Sequence, residues 1–146
     1  MARRIRPSLA IGRSLPSMDA NRNLSLTANE DGTVIVTNRH GTQVTIDLHG
    51  MRGLTPLEML LAAVGSCSAV DIVELMRKQR APVAPLAVDV EGLKDDQRMQ
   101  WLRVTYHVAE EVDARKFERA RSKTADDLCT VSRTLTHGCP VEHVVG

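Results

Sequence analysis

The stretch LTPLEMLLAAVGSCSAVDIVELM, residues 54–76, is the most apolar part of the chain, and it decides the fold. Thr55, Pro56 and Glu58 make the pattern of a capping box at a helix start, with a capping hydroxyl, a proline at the first helical position and an acid three residues after the cap. The residues that follow favour a helix as far as Arg80, and a proline comes two residues later. Because apolar side chains nearly surround the axis, we predict a long helix that is buried on most sides.

Shorter segments with strand patterns lie on both sides of this helix. Asp31-Gly32 and Arg39-His40-Gly41 are turn signals, and the three alternating segments around them predict an antiparallel meander. Two further alternating segments come after the helix. The five predicted strands are residues 23–28, 33–38, 43–48, 86–92 and 101–111.

The C-terminal part of the chain favours helices and one last strand. Residues 112–127 return to a helical period, and residues 129–135 predict a short helix that ends at Gly138. The segment CPVEHVV, residues 139–145, predicts a final strand. This order of elements is typical of an α+β fold, with a mostly antiparallel sheet wrapped around the long central helix.

The composition of the 146-residue chain is that of one soluble globular domain. A net charge of +1, with 25% charged residues, gives no argument for nucleic acid binding. We expect residues 1–20 to be a basic, flexible leader and residues 21–146 to form the domain, because the apolar run in the leader is too short for a secretory signal. No window approaches the ~20 apolar residues that cross a membrane, so we expect no membrane association.

Two of the three cysteines are candidate functional residues. Cys67 can serve as a small buried hydrophobe, but Gly65, which costs a helix ~1 kcal/mol, indicates that something approaches the backbone closely there. Cys129 opens the predicted short helix, whose positive end favours a thiolate. The two lie 62 residues apart, so only the fold can bring them together. An odd number of cysteines without framework spacing favours a reducing cytoplasm.

Two simpler alternatives apply to these motifs. The cluster of Cys129, His137, Cys139 and His143 contains the residue types that bind zinc. Cys139 and His143 would lie roughly 13 Å apart on one face of an extended strand that they share with His137, too far for all three to reach one ion. We therefore expect solvent-facing strand residues and no metal. Glu58, as the acid of a capping box, needs no further role.

The two cysteine motifs resemble those of the OsmC/Ohr superfamily, the osmotically inducible protein C and organic hydroperoxide resistance proteins. TPLEMLLAAVGSCSAVDIVELMRKQR, residues 55–80, is similar to the signature helix, in which a Pro-x-Glu start leads through small residues to a cysteine. LCTVSRTL, residues 128–135, is similar to the second motif, Cys-x-Val-Ser-x-x-Leu. The resemblance covers about residues 24–145 and is closest to the YhfA-like branch.

The resemblance implies a thiol peroxidase that reduces organic hydroperoxides, built as an intertwined homodimer with two sites at the subunit interface. It makes Cys67 the peroxidatic cysteine and Cys129 the resolving one, and it makes Glu58 the acid that holds an activating arginine. Cys139 matches neither motif. The implied partners are a second copy, an alkyl or lipid hydroperoxide and an external dithiol reductant, with no cofactor.

The sequence departs from the family at the activating arginine. Family members carry it in the turn of an early hairpin, and the matching turn here, residues 29–32, is acidic. Arg22, Arg39 and Arg52 are the substitutes, and we prefer Arg52 because it lies just before the helix start that presents Glu58. The alternative hypothesis is a non-catalytic OsmC-like protein that binds a small apolar ligand or senses redox state at the dimer interface.

Overall fold

The computed structural model describes residues 22–146. The first three strands of this part form an antiparallel sheet. The predicted leader, residues 1–20, lies outside the described residues. The strands are β1 (Leu24–Ala28), β2 (Thr33–Asn38) and β3 (Gln43–Asp47). Their order is β1-β2-β3, which confirms the predicted meander.

The predicted turn at Asp31-Gly32 joins β1 to β2. Gly32 has a φ of +82°, in the left-handed region that a residue with a Cβ rarely adopts. The Asp31 carboxylate accepts hydrogen bonds from the backbone N–H and the hydroxyl of Thr33, at 3.0 and 2.6 Å. This local network fixes the turn.

One apolar face of this sheet has no cover within the described chain. Leu26 pairs with Val36, and Val36 pairs with Val44, so their side chains share a face. Leu26 is 58% exposed and Val44 is 45% exposed. Among the helices and strands of residues 22–146, only β3 connects this sheet to the rest, through contacts with the long helix.

The long predicted helix is present as α1 (Pro56–Lys78), 23 residues in length. The Thr55 hydroxyl accepts a hydrogen bond from the Glu58 N–H at 3.2 Å, and Glu58 Oε2 accepts one from the Thr55 N–H at 2.7 Å. Both halves of the capping box are therefore confirmed. The helix ends two residues before the predicted end, and Arg80 takes a positive φ of 56°.

Helix α1 is fully buried along one stripe and half-buried at most of its other positions, which agrees with the predicted burial on most sides. The stripe contains Val64, Gly65, Ser68, Ile72 and Met76. It packs against strand and helix elements of the C-terminal half. Val70, on another face, is 67% exposed.

By its length and composition, helix α1 could cross a membrane. The expectation that no segment approaches the length of a membrane-spanning helix was therefore wrong. The core helix of a soluble protein passes the same test. Here α1 carries Asp71 and Glu74 and packs on other elements of the chain. The absence of membrane association stays a prediction.

Two strands after α1 form a second antiparallel sheet. They are β4 (Ala87–Lys94) and β5 (Met99–His107). Their half-buried side chains face α1, and at the closest approach an added Cβ on Gly65 would lie only 2.6 Å from Val90 Cγ2. The close approach that the glycine indicated is thus the packing of β4 on α1.

The C-terminal helices are α2 (Ala114–Lys123) and α3 (Thr130–His137), joined by a π-helical turn, Thr124–Leu128. Phe117 of α2 packs with Ile72 and Met76 in the core, and its ring lies 6.1 Å from that of Tyr106 in an edge-on arrangement. Helix α3 ends at Gly138, as predicted, with a φ of +73°.

The predicted final strand is not formed, so that prediction was wrong. Residues 138–146 adopt neither helix nor strand, and Val141, Val144 and Val145 are exposed. An alternating pattern gives a strand only where a neighbouring edge supplies hydrogen bonds. No edge of either sheet in residues 22–146 pairs with this segment.

Candidate active site

The fold brings Cys67 and Cys129 together. Cys67 lies in the middle of α1, and Cys129 is the residue that caps the N-terminus of α3, which packs on α1. The two thiols lie close enough for each to affect the ionisation of the other, and neither is in a disulfide. Cys129 is fully buried and Cys67 is half-buried, so the pair reaches solvent at Cys67.

Cys129 takes the position that serine or aspartate usually holds at a helix start. Its Sγ accepts a hydrogen bond from the Ser132 N–H at 3.4 Å, in the first turn of α3. The Ser68 hydroxyl of α1 donates a second hydrogen bond to the same sulfur at 3.3 Å. Donors around a sulfur and the positive end of a helix dipole both favour a thiolate there.

The surroundings change the acidity of the two thiols in opposite directions. Burial raises the pKa of Cys67; the Val131 N–H opposes this rise, but the negative charges of Cys129 and Asp71 add to it. Burial also acts to raise the pKa of Cys129, but hydrogen bonds from the Ser132 hydroxyl, Ser68 and the Ser132 N–H outweigh it, so that pKa lies below its ordinary value. Within one chain, Cys129 is therefore the more acidic thiol.

Ser68 and Tyr106 are site residues that the sequence reasoning missed. Ser68 is 3% exposed, and its hydroxyl donates to Cys129 Sγ and affects the ionisation of the nearby Tyr106 hydroxyl of β5. Burial raises the pKa of Tyr106, so its hydroxyl stays protonated at neutral pH. A signal existed, because Ser68 lies one helical turn from both Val64 and Ile72 on the buried stripe. A polar residue there needs a buried partner.

Arg52 is engaged away from the thiol pair in the described chain. Its Nη1 lies 2.7 Å from Asp31 Oδ2, its Nη2 donates to the Asp31 carbonyl oxygen at 2.9 Å, and its Nε lies 3.3 Å from Asp47 Oδ2. Hydrogen bonds hold the pKa of both carboxyls at about 2: that of Asp31 chiefly from Thr33, that of Asp47 chiefly from the His49 N–H. Arg52 thus clamps the acidic β1–β2 turn to the segment before α1.

Glu58 is likewise distant from Cys67 of the same chain. Nine helical residues separate them, which amounts to roughly 13 Å along the axis and about half a turn around it. In the described residues, the carboxylate of Glu58 serves the capping box. The structure therefore brings the two cysteines together and leaves Arg52 and Glu58 apart from them within one chain.

An apolar groove of about 390 Å³ lies between the N-terminal half of α1, strand β5 and α3, and neither Cys67 nor Cys129 lines it. Ser132, whose N–H donates to the capping sulfur of Cys129, lines this groove. Other walls come from Leu60, Val64, Leu102 and Leu135. A groove of this kind suits an alkyl chain better than a small polar molecule.

No group of three or more histidine, cysteine, aspartate or glutamate side chains within residues 22–146 is arranged to hold a metal ion. Cys139 is exposed, whereas Cys129 is buried under α1. That the protein needs no metal or cofactor stays a prediction.

Comparisons with known proteins agree with the fold and with the motifs. The family model described as OsmC-like protein matches residues 48–144. Protein YhfA of Escherichia coli strain K12 is 27% identical over 101 residues, which cover 64% of this chain and 73% of that protein.

Solved structures show the same fold. The OsmC-like protein from Mycoplasma pneumoniae superposes with a TM-score of 0.72 at 16% identity, covering 83% of this chain and 91% of that one. The organic hydroperoxide resistance protein OhrB of Bacillus subtilis gives a TM-score of 0.53 at 19% identity, covering 80% and 91%. The α+β fold and the family match define the class of protein. The chain belongs to the OsmC-like family.

Proposed function

We propose that this protein is a thiol peroxidase that reduces organic hydroperoxides through Cys67 and Cys129. The observation that carries the proposal is the proximity of two free thiols, one of them half-buried, while Ser132, whose N–H donates to Cys129, lines an apolar groove. A pair of interacting free thiols that solvent can reach is suited to redox chemistry, whereas a buried structural cysteine is inert.

The reaction uses one thiol to attack and the other to resolve. The Cys67 thiolate attacks an oxygen of the hydroperoxide, the O–O bond breaks, and the departing alkoxide takes a proton to leave as an alcohol. Cys67 is left as a sulfenic acid. Cys129 attacks its sulfur, water leaves, and a disulfide joins the two residues. An external dithiol then reduces the disulfide by exchange.

A homodimer is part of the proposal, and uncovered apolar surface supports it. The face of the first sheet that carries Leu26 and Val44 is exposed, and so is Val70 on α1. Contiguous exposed apolar faces are a common mark of protein–protein interfaces. A partner chain would cover these faces and would supply Glu58 or Arg52 to a thiol pair that neither reaches within its own chain. We place this dimer in a reducing cytoplasm, in keeping with the free thiols.

The second candidate is a non-catalytic protein of the same fold that binds an apolar ligand or senses redox state. It is favoured by the pairing of Arg52 with Asp31 and Asp47, and by the negative charges that act on Cys67. These features leave Cys67 without Arg52 of its own chain as an activating cation.

Peroxide-dependent disulfide formation separates the two candidates. The reduced protein is mixed with cumene hydroperoxide or with hydrogen peroxide, and the Cys67–Cys129 disulfide is followed by mass spectrometry. We expect faster oxidation by the organic peroxide, loss of peroxide consumption in Cys67→Ser, and trapped or overoxidised Cys67 in Cys129→Ser. Cys139→Ser is the matched control, because this cysteine is exposed and unpaired with the other two. Equal or absent oxidation by both peroxides would overturn the peroxidase proposal.

A further inference from the structure

The sulfur of Cys129 is held by hydrogen bond donors from two different helices. The Ser68 hydroxyl of α1 donates to Cys129 Sγ at 3.3 Å, and the Ser132 N–H of α3 donates to it at 3.4 Å. Cys129 has no exposed surface, and Ser68 is 3% exposed. Water therefore does not compete for the bond between them, and the sulfur is tied to α1 as well as to its own helix.

The hydroxyl of Ser68 bonds outside its own helix. Serine side chains within helices often bond to a carbonyl oxygen one turn back, as Ser66 does with Ala63. Ser68 instead donates to a sulfur 61 residues away. The sulfur of a neutral thiol is a weak acceptor, whereas a charged acceptor forms a stronger hydrogen bond. The bond therefore strengthens when Cys129 carries the negative charge that it needs for attack.

Ser68 follows Cys67 directly in α1. Successive residues of an α-helix differ by about 1.5 Å along the axis and by roughly 100° around it. The residue that holds Cys129 therefore lies at the same level of α1 as Cys67, while the two side chains leave the helix in different directions. Cys67 keeps its half-buried position, and Cys129 is held close enough for each thiol to affect the other.

We propose that Ser68 is a positioning residue for the resolving step: its hydroxyl holds the Cys129 sulfur at the level of Cys67 and stabilises the negative charge of that sulfur before it attacks. In this step the electron pair of the Cys129 thiolate forms the S–S bond to Cys67. The S–O bond of the sulfenic acid breaks, and the departing hydroxide takes a proton from solvent. This role rests on the peroxidase function proposed above, because the resolving step belongs to it.

Charged and titratable groups from several packed elements act on Cys129 or on its neighbours. They are Cys67 and Asp71 of α1, Tyr106 of β5, Arg121 of α2 and Asp126 of the π-helical turn. Ser68→Ala changes none of them. A difference in pH dependence between this variant and the wild type therefore reports the loss of the hydroxyl.

The thiol oxidant diamide tests the resolving geometry without any peroxide. The Cys67 thiolate adds to the N=N bond of diamide, the Cys129 thiolate attacks the Cys67 sulfur, and a hydrazine leaves as the disulfide forms. Reduced full-length protein in a Cys139→Ser background leaves only the two site thiols to react. At saturating diamide, the closure of the adduct to the disulfide is followed by mass spectrometry from about pH 5 to pH 10, across the range of protein thiols.

The closure rate of Ser68→Ala, divided by that of the wild type, should rise with pH. Loss of one hydrogen bond to a charged sulfur should raise the titration midpoint of Cys129 by about one pH unit. Below both midpoints the thiolate is then about tenfold scarcer but, with a Brønsted slope of about 0.4–0.5, roughly threefold more nucleophilic, so closure is roughly threefold slower. Above both midpoints only the gain in nucleophilicity remains.

The ratio should therefore change about tenfold across the pH range. A displaced Cys129 sulfur would slow closure by the same factor at every pH. A ratio that stays constant, or an adduct that never closes in the wild type, would overturn the inference.

Two further variants of α1 are the controls. Ser66→Ala is matched to Ser68→Ala, because Ser66 is exposed on the same helix and bonds to the Ala63 carbonyl oxygen. It should keep the wild-type pH profile. Ser68→Thr keeps a donor hydroxyl and should keep that profile too. A profile like that of Ser68→Ala in either control would contradict the role of the Ser68 hydroxyl.

Cumene hydroperoxide separates this role from the proposed function. Excess peroxide converts a slowly resolved sulfenic acid to a sulfinic acid. Below both midpoints, Ser68→Ala should accumulate roughly threefold more sulfinic Cys67, relative to disulfide, than the wild type. If the diamide ratio changes with pH but no organic peroxide is consumed, the proposed function fails and the positioning of Cys129 by Ser68 stands. If peroxide is consumed and Ser68→Ala resolves as the wild type does, the function stands and the inference fails.

Discussion

At the scale of single residues, Glu58 has one observed role, in the capping box of α1, and one proposed role, in peroxide reduction. Glutamine also serves at this capping position, so Glu58→Gln keeps the hydrogen bond to Thr55 but removes the charge. We expect Glu58→Gln to fold with wild-type stability and to lose most of its peroxide turnover. Glu58→Ala should lose turnover and also roughly 0.3–1.5 kcal/mol of stability.

Two measurements on the same variants separate these roles: thermal unfolding and the consumption of cumene hydroperoxide. Wild-type turnover in Glu58→Gln would mean that the capping box is the whole role of this residue. The sequence predicted the capping box fully, because all of its atoms come from four consecutive residues. The catalytic role that we propose for Glu58 depends on a partner chain, so no local pattern predicts it.

The lowered pKa of Asp47 predicts that the stability of the protein falls at acid pH. Its side chain is 1% exposed and its pKa is about 2 instead of the ordinary 3.8, chiefly because the backbone N–H groups of His49 and Arg52 donate to it. The unfolded carboxyl therefore takes up a proton first as the pH falls. The stability that Asp47 contributes is complete above about pH 5 and is lost progressively down to about pH 2.

Urea unfolding between pH 6 and pH 2 measures this contribution. Asp47→Asn should be less stable than the wild type at pH 6, and the difference should shrink as the pH approaches 2. Asp96→Asn is the control, since this residue is exposed in the β4–β5 turn. A difference between wild type and Asp47→Asn that stays constant across this range would contradict the prediction.

At the scale of elements, the contact between α1 and β4 depends on the absence of a side chain at Gly65. Alanine in a helix is normally more stable than glycine by about 1 kcal/mol, but here its Cβ would lie 2.6 Å from Val90 Cγ2. We expect Gly65→Ala to destabilise the fold by roughly 1–3 kcal/mol, as overpacking does.

A double-mutant cycle with Val90→Ala provides the control. Because Val90→Ala removes the methyl group that the new Cβ would meet, Gly65→Ala should be neutral or stabilising in that background. The coupling free energy should be about 1 kcal/mol or more by thermal or chemical unfolding. Additive effects would show that the two residues do not limit the approach of β4.

The elements that sequence reasoning predicted are those with local signals. The Asp31-Gly32 turn, the start of α1 and the end of α3 at Gly138 all depend on residues adjacent in the chain. The strand predicted at residues 139–145 failed because its pattern says nothing about whether an edge is free to pair. The π-helical turn, which positions Cys129 as a cap, had no recognisable pattern in residues 124–128.

At the scale of the whole molecule, the exposed face of the first sheet predicts a second copy. We expect a dimer of twice the 16.1 kDa chain mass by sedimentation or light scattering. Leu26→Asp would place an unpaired carboxylate in the interface, which should weaken the dimer by about 3 kcal/mol, roughly a hundredfold in Kd.

Ser25→Asp is the matched control on the opposite face of the same strand. Both residues are exposed in the single chain, so an effect confined to Leu26→Asp reports a partner rather than a folding defect. A monomeric wild-type protein at micromolar concentration would contradict the dimer and, with it, a site completed by a partner's Glu58 or Arg52.

The candidate site itself was only partly predictable. Each cysteine motif is a short pattern, and the fold they resemble implied that they meet. Ser68 and Tyr106 join the pair only when α1, β5 and α3 are packed together, since 38 positions separate the serine from the tyrosine. No local sequence pattern predicts that Ser68 and Tyr106 lie beside the two cysteines.

In the proposed peroxidase cycle, the burial of Cys129 also determines how the disulfide is reduced again. An incoming thiol reaches only the sulfur of Cys67, so that sulfur receives the attack and Cys129 departs. The hydrogen bonds that stabilise its thiolate make it a good leaving group, which speeds exchange. A reductant that lacks its own second cysteine should therefore remain covalently attached at Cys67 and never at Cys129, and such a captured complex would identify the physiological electron donor.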